Sequence, residues 1–136
     1  MTPRTIIAPG ATPPHGHYSH AVVYQGTVYV SGILGNGAGR PGEAPPPVTA
    51  QARYCLEQIA IILAAAGSSL QHVVKLGVHV ADLADWPQVD AICAEMFGDH
   101  RPARIVAPCG GGLRLGSCIE MDAIAACTIP AAMSER

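Results

Sequence analysis

The chain has 136 residues, of which 49% are hydrophobic and 13% charged, a balance that excludes a disordered chain and suits one domain spanning residues 1–136. Eight Lys plus Arg against ten Asp plus Glu leave a formal charge of −2, with no basic excess to hold a phosphate backbone, so nucleic acid is not an expected partner. Aromatics at 4% leave Val, Ile, Leu and Ala to fill the core and are too few for a base-stacking platform.

Met1 to Gly10 lacks the charged-then-apolar pattern of a signal peptide, and the apolar run Ile59 to Ala66 is too short to cross a bilayer. A cytoplasmic protein with no membrane partner is expected. Ser19 to Tyr24 and Thr27 to Ser31 are β-branched and aromatic runs divided by Gln25-Gly26, which predicts a hairpin with glycine supplying the positive φ of its turn. Gly32 to Pro47 is too rich in Gly and Pro for a regular ladder and reads as a long loop, functional or merely connecting. From Val48 to Ala66, Ala52, Cys55, Leu56, Ile59, Ile62, Leu63 and Ala66 recur at the helical period, and Gly67 stands where a helix stops.

Val73 to Val80 reads as a strand, and Asp85-Trp86-Pro87 opens a second helix with an N-cap and an early proline, ending at Gly98. Its apolar stripe is Val89, Ile92, Cys93, Met96 and Phe97. Ala103 to Ala107 and Cys118 to Cys127 complete the set as strands, giving the order ββαβαββ. The expected fold is α+β: a mixed sheet with two helices packed on one face and the other face left for a partner subunit to cover.

Five cysteines with no C-x-x-C pair suggest reduced thiols rather than disulfides or a zinc site. Lys75, the only lysine, sits within a strand, which makes Schiff-base chemistry with pyridoxal improbable. His15, His17 and His20 lack a nearby acidic or fourth ligand, so loop or pocket roles outweigh metal binding, and no metal is expected.

Two charges interrupt apolar strands: Arg104 beside Ile105-Val106-Ala107, and Glu120 within Ile119 to Ile124. A guanidinium on a rigid strand matches a carboxylate ligand with two parallel hydrogen bonds, and a glutamate in an apolar setting can move protons near neutral pH. Both could equally form a structural Arg–Glu pair or sit solvated on an edge strand. Cys118 shares the strand face of Glu120, as a thiol near the pocket or as a small hydrophobe. Arg114 could take a second carboxylate of a larger substrate or stand in solvent, the commoner fate of a loop arginine.

Gly16-His17-Tyr18-Ser19, Val28-Tyr29-Val30-Ser31-Gly32, Gln51-Ala52-Arg53, Ala66-Gly67-Ser68-Ser69-Leu70, Arg101-Pro102-Ala103-Arg104 and Ile119-Glu120-Met121-Asp122-Ala123-Ile124-Ala125 follow one another in an order that resembles the YjgF/RidA family. The resemblance runs from about residue 16 to about residue 126. It implies a homotrimeric, cofactor-free hydrolase that converts enamines and imines such as 2-aminoacrylate to 2-keto acids and ammonia at sites between subunits. It further implies that Arg104 clamps the substrate carboxylate, Glu120 positions the attacking water, and Tyr18 and Ser31 hydrogen-bond around the substrate. The chain departs from the family pattern at His17, Ile33 and Asp90, and three glycines, Gly110 to Gly112, replace a bulkier segment between the last two strands. Two alternatives stay open: a relative adapted to a larger intermediate, such as an aminomuconate-like acid, and a non-catalytic module that only holds a carboxylate ligand.

Overall fold

The computed structural model describes residues 2–128. Six strands form one sheet: β1 (Arg4–Ile6), β2 (Ala21–Tyr24), β3 (Thr27–Leu34), β4 (Val73–Val80), β5 (Ala103–Pro108) and β6 (Ile119–Ala126), in the spatial order β1-β2-β3-β6-β4-β5. Helices α1 (Val48–Ala65) and α2 (Trp86–Phe97) cover one face. Only β4 and β5 run parallel. That geometry needs a crossover, and α2 supplies it.

Alternation on the strands decides which face is covered. Leu76, Val78 and Val80 on β4 and Ile119 and Met121 on β6 are fully buried with Leu56, Ile59 and Leu63 of α1. Each such side chain contributes roughly 1.5–3 kcal/mol by leaving water. On the opposite face, Tyr29 and Ile105 are about half exposed.

The α+β architecture matches the sequence expectation, with instructive differences at the ends of elements. The Gln25-Gly26 turn holds both residues at positive φ, 50° and 77°, the two-residue hairpin geometry that follows the twist of its strands. Helix α1 ends in a Schellman arrangement: the Ser68 amide donates to the Leu63 carbonyl at 2.8 Å and Gly67 takes φ 79°. Asp85, expected as the cap of α2, makes no side-chain cap bond; Asp82 instead accepts from the Ala84 amide at 2.9 Å and sets the turn before the helix.

Four further differences bear on the site. A sixth strand, β1, lies where the sequence shows no strand signal, and β3 continues to Leu34 into what reads as loop. Arg104 is not a buried charge, because β5 is an edge strand and its first three residues are exposed. His20, set among three histidines on a loop, is buried: its Nδ1 accepts from the Ala8 amide and its Nε2 donates to the Thr12 carbonyl, both at 2.8 Å.

Candidate active site

Strand β3 carries an irregularity beside its best candidate residues. Val30 pairs with Ala123 but Ile33 pairs with Met121, so three steps on β3 match two on β6, and the extra residue falls at Ser31-Gly32. A bulge of this kind bends the strand and re-aims side chains. Here it opens a cavity of about 460 Å³ lined by Tyr18, Ser31, Gly32, Tyr54, Arg114 and Glu120, among others. Glu120 sits on the sheet face away from the helices, since Ile119 and Met121 on either side of it are buried.

The polar groups of this cavity are held from behind. Ser31 Oγ donates to the Ser19 carbonyl at 2.7 Å, which commits its proton and leaves the oxygen able only to accept from a ligand, and the Ser31 amide donates to the His20 carbonyl at 2.9 Å. The half-exposed Tyr18 phenol accepts from the His15 amide at 3.3 Å. Gly32 leaves room for the Glu120 carboxylate: a Cβ there would lie 2.9 Å from Oε2. Glu120 belongs to neither ion pair found among the described residues, Arg53–Glu95 and Arg104–Asp90. Cys55 donates from Sγ to the Ile33 carbonyl at 3.2 Å. Burial, with the Glu120 charge adding to it, pushes that thiol far above its ordinary value, so it is a packing group.

Arg104 lies elsewhere in the chain. It pairs in register with Leu76 on the helix side, while Glu120 pairs with His79 three residues further along β4 on the other side. Two strand spacings and three residues each amount to roughly 10 Å, so one small substrate cannot touch both groups of the same chain. The guanidinium donates to Asp90 Oδ1 of α2 at 2.7 Å and stacks over the Trp86 ring at 4.4 Å. It lines a second cavity, of about 520 Å³, with Cys93, Phe97 and Arg101. Burial raises the Cys93 thiol, and the Arg104 charge partly opposes that.

Tyr18, Ser31 and Glu120 are thus brought together, and Arg104 is not. Cys118 does not line the cavity; it packs against the apolar core just before β6. No group of three or more His, Cys, Asp or Glu side chains is arranged to hold a metal among the described residues, and none of their helices is long and apolar enough to cross a membrane. Sequence reasoning missed Gln51, a fully buried amide on α1. Its Oε1 accepts from the Cys118 amide at 2.9 Å and its Nε2 donates to the Pro46 carbonyl at 3.0 Å. His79, opposite Glu120, was also missed; counting alternate residues along β4 would have placed it on that face.

A mixed sheet with two helices on one face, and an isolated carboxylate with hydroxyl groups beside a bulge, describes a small α+β domain built around a polar ligand cavity. Residues 9–127 match the family model described as Endoribonuclease L-PSP, and the chain belongs to that family, the YjgF/RidA proteins. The 3-aminoacrylate deaminase RutC of Acinetobacter baylyi is 39% identical over 113 residues, covering 79% of this chain and 86% of the relative. The human 2-iminobutanoate/2-iminopropanoate deaminase is 36% identical over 121 residues, 89% of this chain and 85% of the relative. The crystal structure of E. coli TdcF with bound serine superposes with a TM-score of 0.80 at 28% identity, covering 90% of this chain and 98% of that one. The family therefore includes enamine and imine deaminases, and one of its members holds a small amino acid.

Proposed function

We propose that the protein hydrolyses 2-imino acids and their enamine tautomers to 2-keto acids and ammonia, without a cofactor. The observation that carries this reading is the Glu120 carboxylate, free of any ion pair among the described residues and facing a cavity shared with Tyr18 and Ser31. Names of the relatives supply the reaction class.

The chemistry asks little of the protein. Water adds to C2 of the protonated imine while Glu120 accepts one of its protons; Glu120 returns that proton to the nitrogen of the resulting carbinolamine, and as ammonia departs the hydroxyl proton passes to Glu120 and the ketone forms. Tyr18 and Ser31 orient the substrate. An imine already hydrolyses in water, so positioning supplies most of the acceleration and no covalent nucleophile is needed.

A carboxylate clamp completes the site. Arg104 is too far from Glu120 within one chain, but it stands on an exposed edge strand with its planar fork fixed by Asp90 and Trp86. Arg104 of the partner subunit would meet Glu120 in a homotrimer whose subunits cover the open sheet faces bearing Tyr29 and Ile105. Light scattering is expected to give three times the 14.0 kDa chain mass; a monomer at micromolar concentration would remove the shared site.

The decisive experiment generates 2-iminobutanoate in situ with an amino-acid oxidase and follows its decay. Glu120→Gln keeps shape and hydrogen bonding but cannot exchange a proton, so the variant is expected to bind 2-oxobutanoate and lose at least a hundredfold in turnover, on the order of what general acid–base catalysis supplies. Equal decay with parent and variant would take Glu120 out of the mechanism.

A further inference from the structure

We propose that Arg114 is a second anion-binding residue of this cavity and that the preferred substrates are 2-imino acids carrying a distal second carboxylate. This rests on the deaminase reading above and narrows its substrate class. Arg114 lines the same cavity as Glu120, Tyr18 and Ser31, from the segment between β5 and β6. Among the described residues it has no carboxylate partner, because both ion pairs involve other arginines.

The backbone around Arg114 is held in a costly shape. Leu115 has φ 59° and ψ 23°, the left-handed region, which disfavours a residue with a side chain by roughly 1–2 kcal/mol and persists only when its surroundings enforce it. Those surroundings are visible. Asn36 Nδ2 donates to the Leu115 carbonyl at 3.2 Å, and the Asn36 amide donates to Ser117 Oγ, also at 3.2 Å. Ser117, itself buried, donates to the Ile119 carbonyl at 2.7 Å. On the other side of Arg114, Gly111 and Gly112 take φ 89° and 85°, where a bulkier segment could not follow. The arginine is thus anchored on its C-terminal side at the mouth of the cavity that holds Glu120.

Charge then selects the ligand. With the α-carboxylate on Arg104 of the partner subunit, a second carboxylate entering beside Glu120 would be repelled unless a cation stood close by, and Arg114 is that cation. The reaction balances without a redox partner. Water's oxygen stays on C2 as the new carbonyl, the C=N bond breaks, and both hydrogens of water leave on nitrogen as ammonia, with the distal carboxylate unchanged.

The test compares 2-iminoglutarate with 2-iminobutanoate, each made in situ by an amino-acid oxidase, for the parent, Arg114→Ala and Arg114→Lys. The parent is expected to favour the diacid in kcat/KM by at least about tenfold. Arg114→Ala should lower the diacid-to-monoacid ratio by about ten- to a hundredfold, the worth of one charged hydrogen bond, with Arg114→Lys recovering part of it. Calorimetry of 2-oxoglutarate against 2-oxobutanoate reads the same preference without turnover, and Arg114→Ala should abolish it. If the parent hydrolyses 2-iminobutanoate but the ratio and the calorimetric preference do not move, the second anion site is overturned and the deaminase reading stands. If the parent accelerates neither imine, the deaminase reading fails, and calorimetry alone decides whether Arg114 binds the second carboxylate.

Discussion

A single methyl group at position 32 tests where the Glu120 carboxylate must lie. The Cβ of Gly32→Ala would fall 2.9 Å from Oε2 and 3.1 Å from Cδ of Glu120, inside the roughly 3.5 Å at which such atoms ordinarily touch. The carboxylate must therefore retreat by about half an ångström or more. It can do so, because it is the far end of a flexible side chain and Gly32 is not in the left-handed region. The fold should lose no more than about 1–2 kcal/mol, seen as a melting shift of several degrees. Catalysis is less forgiving: a displacement of about 1 Å in a reacting group costs on the order of a hundredfold. Turnover of 2-iminobutanoate should fall about ten- to a hundredfold, with KM nearly constant because the arginine clamp is untouched. Stopped-flow decay of the imine at saturating protein reads kcat directly. A variant that folds normally and keeps kcat within twofold of the parent would refute the assignment of Glu120 as the proton-transfer group.

Asp90→Asn removes the carboxylate bonded to Arg104 at 2.7 Å, and since Asp90's side chain is 53% exposed, the pair is worth at most about 1 kcal/mol. The freed guanidinium should bind 2-oxobutanoate about two- to fivefold more tightly by calorimetry; weaker binding would mean that Asp90 orients Arg104 more than it competes for it. Burial raises the Cys55 and Cys93 thiols above the ordinary thiol value of 9.0. The folded state then keeps protons that the unfolded chain releases. Stability should consequently fall as pH rises past that value, by up to about 1.4 kcal/mol per pH unit for each thiol. Urea midpoints taken from about pH 8 to pH 10.5 check this, and Cys55→Ala should flatten the slope; an unchanged slope would show that the thiol is reached by solvent.

The elements with strong periodicity were legible in the sequence. Val73–Val80 and the apolar stripes of both helices carry enough repeated positions to fix a face. Arg4–Ile6 does not: only Ile6 is buried, and three residues hold no period. Gln51 escaped for the opposite reason, since it is polar at a position the helical stripe buries, and only the partners it meets across the fold explain it. Glu120 stood out as a charge in an apolar strand, Tyr18 and Ser31 only through the family resemblance, and the three line one cavity. The separation of Arg104 from them could not be read, because strand patterns assign faces, whereas the neighbour order β6-β4-β5 and the edge position of β5 arise from the crossover through α2.

The Gln51 amide has a consequence for remodelling this protein. One side chain joins the end of the loop that follows β3, through Pro46, to the approach to β6, through Cys118. Asn36 repeats that connection at the surface through Leu115 and Ser117. Two loops far apart in the chain therefore behave as one mechanical unit, and transplanting either alone from a relative would leave its half of these bonds unmatched. The stretch from Cys109 to Leu113 makes none of these bonds. It is the place to cut and lengthen the chain when a differently shaped mouth is wanted above the same floor.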